Sequence, residues 1–317
     1  MPDATIVIPC YNAAAYVEAA LRSALDQTCR DIEVIAVDDR STDATPQILD
    51  NWAARDKRLI VLRQAVNGGP SAACNAAYAI ARGRWVTVLD SDDLYLPPRI
   101  ERLVAEAEAR GADMIADNLI QQDFDTGRDL GLHFPADEMA RAAPLGLLDM
   151  LSRDMPDRRG TSRLGFVQPL IRLDLLRRHG LRFSEEIRAG EDFLHYFECV
   201  AHGARFVVTP AAYYVYRLRP GSITFRPSST FYNSAANRRM MAVARRNDAP
   251  QAVLDALSRR QELHDFNSLV QAAADGQTLK AFGYLHPFGE SGLRRQVRTI
   301  LGALRRRLTT PSPSAPV

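Results

Sequence analysis

Lysine is almost missing. Lys57 and Lys280 are the two in 317 residues, and arginine carries the rest of the positive charge. Basic and acidic residues nearly cancel, 40 against 38, for a net charge of +2. No global field therefore points to nucleic acid as a partner. Cysteine is scarce as well. Cys10, Cys29, Cys74 and Cys199 share no zinc-ligand or redox-pair spacing, and a chain of this size does not depend on covalent staples. A reducing, cytoplasmic setting is the expectation. No run approaches the ~18 apolar residues of a membrane span. The start of the chain shows no basic and apolar regions of an export leader, so none is expected. No internal repeat is visible. G-x-G-x-x-G is missing too, which disfavours a nicotinamide enzyme.

What is present has ordinary globular composition, 46% hydrophobic and 25% charged. Short apolar runs alternate with helical patterns through the first third. Ala4–Ile8 reads as a strand halted by Pro9, and Asn12 as the cap of a helix over Ala13–Ala24. Ile32–Val37 is nearly continuous apolar, as a strand buried on both faces should be. Strands follow at Leu59–Leu62, Trp85–Leu89 and Ala112–Ala116, separated by helices near Thr45–Arg55, Asn67–Ala81 and Pro97–Ala109. This alternation predicts βαβ units and a mostly parallel α/β sheet. Ligands of such sheets sit beyond the carboxyl ends of the strands. Asn118 to Ser162 reads as a long variable loop region with some helix. Short helices are expected over Arg172–Gly180 and Gly190–Gly203, two strands at "ARFVVTP" and "AAYYVYRL", and helix after Ser228.

The run "VTVLDSDDLYLPP", Val86 to Pro98, drives an apolar strand into Asp90, Asp92 and Asp93. Three carboxylates in four positions repel one another unless water or a cation intervenes. Hard divalent cations prefer such oxygens and share them with substrate phosphates. On this segment alone, a solvated acidic turn stays open beside a Mg²⁺ or Mn²⁺ site. "VDDRSTDAT" ends the second strand. Asp38 and Asp39 suit hydrogen bonds from a nucleobase or ribose, while Asp43 or Ser41 suits a helix cap. "NGGPSAACN" sets Gly68 and Gly69 ahead of a helix. Its N–H groups either approach a ligand or simply turn the chain. Glu191 and Asp192 open the helix of "GEDFLHYFECVAHG", a place where the helix dipole also favours acids.

In this order, "IVIPCYNAAAYVEAALRSALDQT", "EVIAVDDRSTDAT", "NGGPSAACNAA", "GRWVTVLDSDDLYLPPRIERL" and "AGEDFLHYFECV" resemble the family 2 glycosyltransferases with their GT-A fold. The resemblance covers roughly Ala4 to Thr224. It implies a GT-A domain over 1–227, with a nucleotide-sugar half at 1–117 and an acceptor half at 118–227. A helical extension over 228–308 and a disordered tail at 309–317 complete the expected organisation.

The resemblance implies an inverting transferase that moves a sugar from a nucleoside-diphosphate sugar to a glycan or polyprenyl-linked acceptor, in surface or exported polysaccharide synthesis. It places Pro9, Tyr11 and Asn12 on the nucleotide, Asp39 on the base with Asp38 and Gly68 in support, and Asp90 with Asp92 at the ribose. It places Asp92 and Asp93 on a divalent metal. Asp192, or alternatively Glu191, becomes the general base. Arg217, Arg219 and Ser222 become the contacts of a loop over the diphosphate. Two departures stand out: Cys74 occupies a position where relatives carry Arg, and Arg219 one where many carry His. The six histidines show no metal-ligand spacing, and solvated or helix-end positions are expected for each. A non-catalytic nucleotide-sugar-binding module of the same fold is the alternative, and the retained Gly-Glu-Asp speaks against it. The segment "SGLRRQVRTILGALRRRL" forms a basic amphipathic pattern. It suits either a core-packing helix or peripheral contact with the inner face of the cytoplasmic membrane.

Overall fold

The computed structural model describes residues 1–154, 164–219 and 229–276. The first half forms as its apolar runs dictate. Strand β1 (Ala4–Cys10) lies between β2 (Ile32–Asp38) and β4 (Trp85–Val88), and β3 (Leu59–Arg63) borders β2, all parallel. Pleating sends alternate side chains to opposite faces. Ala4, Ile6 and Ile8 pack with helices α1 (Val17–Leu25) and α4 (Arg99–Ala109), and Leu49 of α2 (Thr45–Arg55) joins that side. Val7, Ile35 and Val37 pack on α3 (Pro70–Ile80) on the other side. Covered on both faces, β2 has no exposed position, which is why its sequence does not alternate.

Beyond β4 the expectation of a mostly parallel sheet needs correction. Strand β4 meets β8 (Leu170–Arg172) antiparallel, and β8 meets β6 (Met114–Asp123) antiparallel. Strand β6 runs parallel to β9 (Phe206–Leu218), and β9 pairs antiparallel with the two-residue β5 (Leu94–Tyr95). The order is β3-β2-β1-β4-β8-β6-β9-β5, with β7 (Asp129–Leu132) hairpinned onto β6. The segment from Asn118 onward is thus not loop: strand β6 continues to Asp123. Its outer part is half-buried and its partner β7 wholly exposed, so neither carries the apolar signal of a strand. The two expected strands near Pro210 are one. Strand β9 bulges there, since Ala116 pairs Val208 whereas Asn118 pairs Ala212. A bulge accommodates the missing proline N–H.

Strand β1 likewise runs through Pro9 instead of stopping, because its pairing with β4 has already ended at Val7 and Val88. Helix α1 starts at Val17 rather than Ala13, and Asn12 is not its cap. The Asn12 backbone is left-handed at φ +49°, and its Oδ1 accepts from the Thr42 N–H at 2.8 Å. Short helices α5 (Ala136–Met139) and α6 (Leu147–Arg153) precede α7 (Leu173–His179), which Gly180 ends at φ +62° as its sequence position suggests. Helix α8 (Glu191–Ala201) is where its sequence places it.

Helices α9 (Ser229–Arg246) and α10 (Gln251–Ala274) close the described chain. Ala236, Met240, Val243 and Leu257 join the same core as α3 and α8. Between them lies buried polar wiring: Asn237 Nδ2 donates to the Leu257 carbonyl at 3.0 Å and to Gln261 Oε1 at 2.9 Å. Ser222, the basic amphipathic segment and the tail lie outside the described residues. Among the described residues, no helix is long and apolar enough to cross a membrane.

Candidate active site

The chain ends of β1, β2 and β4 open on one cleft of about 570 Å³, walled opposite by α8, α9 and α10. Non-glycine residues with positive φ gather here. Asn12, after β1, and Gln168, before β8, line it, and Arg40 follows cleft-lining Asp39 after β2, the kind of strained backbone that collects at functional sites.

Asp39 builds one wall. Its Oδ1 accepts from the Gly68 N–H and its Oδ2 from the Gly69 N–H, both at 2.8 Å. The turn needs its glycines: a Cβ on Gly68 would stand 2.7 Å from Ala72 Cβ, and Gly69 has φ +84°. Asp39 and Gly69 face the cleft together with Pro9, Tyr11 and Asn12. Asp38 and Gly68 stand behind that surface. Asp38 is buried and accepts from the Ser41 N–H at 3.2 Å. Asp43 receives the Thr45 N–H at 2.9 Å, at the start of α2.

The three acids after β4 have different surroundings. Asp93 is buried, with Oδ2 accepting from Tyr214 Oη at 2.7 Å and Oδ1 from the Arg217 N–H at 2.7 Å. Each oxygen thus accepts one donor, which ties the chain around Asp93 to β9, and the residue also lines the cleft. Asp92 faces the cleft and its Oδ2 accepts from Arg219 Nε at 2.7 Å. The Arg219 guanidinium also lies 4.9 Å from the Tyr16 ring centroid. Arg217 donates from Nε to the Asp92 carbonyl and lies over Phe124, while its Nη2 is a buried donor with no hydrogen-bond partner among the described residues. Asp90 receives Gln168 Nε2 at 3.3 Å. Burial first, then the charges of Asp92 and Glu191, push its carboxyl up to about 7.

Across the cleft, Glu191 and Asp192 form the first turn of α8. Gly190 before them has φ +78°, and a Cβ there would lie 2.7 Å from Asn233 Oδ1 of α9. Burial drives the Asp192 carboxyl well above the usual carboxylate range, with Glu191 and Asp90 adding to it. Burial raises Glu191 too. The helix dipole pulls the other way but is a smaller effect at about 0.3–1 kcal/mol. Among the described residues, no side chain donates a hydrogen bond to Asp192.

No three His, Cys, Asp or Glu side chains among the described residues form a metal cage by themselves. The cleft instead offers acids that burial and mutual repulsion destabilise, with one Asp92 oxygen outside the Arg219 pair. That donor set fits a hard divalent cation whose remaining ligands come from a phosphate and water. Two histidine expectations are corrected. His195 is buried inside α8, its ring stacked 4.3 Å from that of Phe183, and burial lowers it to about 3. His264 of α10 is buried as well. Sequence reasoning missed Gln168 and the α9–α10 wall, which reach the cleft only through the fold, and Tyr214, which holds Asp93 from behind it.

The sequence profile of Glycosyl transferase family 2 matches residues 5–173. Succinoglycan biosynthesis protein ExoU of Rhizobium meliloti (strain 1021) is 32% identical over 90% of this chain and 84% of its own length. Succinoglycan biosynthesis protein ExoO of the same organism is 38% identical over 71% of this chain, which spans 63% of ExoO. Among solved structures, S. aureus TarS 1-349 in complex with UDP superposes with a TM-score of 0.66 at 21% identity, covering 98% of this chain and 81% of TarS. The mannosyltransferase PcManGT from Pyrobaculum calidifontis, in complex with GDP-Man and Mn²⁺, gives 0.58 at 20% identity over 97% of this chain and 87% of its own. The likeness to TarS places the fold in the GT-A class, as expected from the sequence.

Proposed function

The chain belongs to Glycosyl transferase family 2, and from that premise we propose that it transfers a sugar from a nucleoside-diphosphate sugar to a hydroxyl of a glycan or lipid-linked acceptor, with inversion, in exopolysaccharide or surface-polysaccharide synthesis. The observation that carries this reading is one cleft with two unlike acidic walls. On one side Asp90 stands with Asp92 and its Arg219 partner at the strand ends; on the other Asp192 is buried with no side-chain donor among the described residues.

Residues on the strand-end wall take the donor. The half-exposed Tyr11 ring, with Pro9 and Asn12, borders the nucleoside. Asp39 presents the Gly69 turn to it. Asp90 faces the ribose. The Arg217 Nη2 that has no partner among the described residues, and Arg219, meet the diphosphate, with Ser222 from the following segment. A divalent cation, Mg²⁺ or Mn²⁺, would be held by Asp92 and the donor phosphates and would offset charge on the leaving diphosphate.

The acceptor hydroxyl is a poor nucleophile until a base draws off its proton. Asp192, with Glu191 as alternative, takes that proton. The acceptor oxygen then bonds to the anomeric carbon as the bond to the diphosphate oxygen breaks, and the bonding pair leaves with the diphosphate. A carboxyl raised by burial holds the proton more firmly than an exposed one, which favours its removal from the hydroxyl.

Titrating nucleoside diphosphates with and without Mn²⁺, followed by thermal shift, tests the donor half. Ligand at a hundredfold excess over Kd stabilises by about 2.7 kcal/mol. A metal-dependent shift with one base, lost in Asp92→Ala, is the expected result. It also names the base, which Cys74 leaves unassigned. Folded protein that shifts with no nucleotide would sink the reading.

A further inference from the structure

Gln168 occupies a costly position. Its φ of +39° is left-handed, a conformation that strains a side-chain-bearing residue. Glycine or asparagine would adopt it more readily. Several partners hold it there. Its carbonyl accepts from Arg99 Nη2 at 2.7 Å and from Thr87 Oγ1 at 3.1 Å. Arg99 is itself fully enclosed, paired with Asp117 at 3.0 Å and lying 4.2 Å from the Tyr95 ring centroid. The side-chain amide is buried at the cleft floor with both ends in use. Nε2 donates to Asp90 Oδ2 at 3.3 Å, and Oε1 accepts from Tyr196 Oη at 2.9 Å. Tyr196 lies on α8, about one turn after Asp192.

We propose that Gln168 is a positioning residue whose amide ties Asp90 to α8 and so sets the spacing between the donor-side acid and the Glu191–Asp192 pair. The proposal rests on the glycosyl-transfer reading above. Asp90 and Asp192 come from distant segments, and no hydrogen bond joins them directly. The amide of Gln168 supplies the connection in two bonds. An amide suits that task because its donor and its acceptor are rigidly coplanar. Fixed spacing matters because the acceptor hydroxyl, anomeric carbon and leaving oxygen must line up, and a misplacement of about 1 Å can cost about a hundredfold in rate. The grip of Arg99 on the carbonyl keeps the backbone from relaxing away.

The test uses Gln168→Asn, Tyr196→Phe and the double variant of the whole chain. Asparagine tolerates the left-handed backbone and keeps an amide, but is one methylene too short to reach both partners. Tyr196→Phe removes a single hydroxyl. Donor and acceptor kinetics are measured beside thermal melting. Each single variant is expected to lower kcat about tenfold with donor KM changed less than about threefold. Melting temperatures stay within a few degrees. The double variant is no slower than Gln168→Asn, because both substitutions cut the same connection. Unchanged kcat with a lower melting temperature, or losses that multiply in the double variant, would overturn the proposal. Wild-type protein that moves no sugar from any donor would overturn the glycosyl-transfer reading itself, and this proposal with it.

Discussion

Asp93 and Asp192 are two buried carboxyls of the same cleft, and burial raises both. Their neighbours separate them. Asp93 accepts from a phenol and a backbone N–H, each at 2.7 Å; among the described residues, no side chain donates to Asp192. Burial alone therefore does not mark a working acid. A carboxylate whose oxygens are already met by donors acts as an anchor for the chain around it. One left bare has basicity available for a substrate proton.

The sharpest break of this comparison is Asp192→Asn. Transfer should fall by about 10²–10⁴ in kcat while the melting temperature holds or rises, since a carboxyl that burial disfavours is replaced by a neutral isostere. Steady-state rates beside melting curves check this, and a variant that keeps wild-type kcat would move the base to Glu191. Asp93→Ala should do the reverse. It strands the Arg217 N–H and leaves the Tyr214 hydroxyl only its longer contacts with Asp90, at 3.4 and 3.5 Å, at a cost of about 1–3 kcal/mol in stability for an unsatisfied group, read by denaturant titration. Nucleotide should still bind to the folded fraction.

The smallest effect concerns pH. Asp90 has a folded value of about 7 against about 3.9 in an unfolded chain. Between these values the folded state binds more protons. The stabilisation is thus complete below about pH 4 and is lost as pH rises through 7. Asp90→Asn should melt above wild type at pH 8 by at least ~2 °C, and this advantage should vanish near pH 4. An advantage constant with pH would mean that the carboxyl does not titrate in that window.

Much of the parallel half was legible because each of its signals is local. Continuous apolar runs gave β1, β2 and β4, and Gly180 marked the end of α7. The mixed half was harder, for physical reasons. Strand β6 beyond Asn118 is half-exposed and polar, and its hairpin partner Asp129–Leu132 has no buried face. The wall from α9 and α10 was hidden by its chemistry. Asn237, Gln261 and Asp265 are buried yet polar, and a sequence pattern reads such residues as surface. The motif acids showed where the cleft would be. That Asp93 anchors the chain around it depends on Tyr214 and Arg217, whose approach to Asp93 is tertiary.

The enclosed pair of Arg99 and Asp117 has a consequence for how the protein meets salt. Both side chains are wholly shielded from solvent, where mobile ions screen poorly, whereas the Arg219–Asp92 pair is 29% and 22% exposed and is open to a screening atmosphere about 8–10 Å thick at 0.10–0.15 M salt. Rising ionic strength should loosen the cleft's rim before it disturbs the floor. Added salt should then weaken the Arg219–Asp92 pair while the scaffold beneath stays assembled, and dilution should restore the pair without refolding.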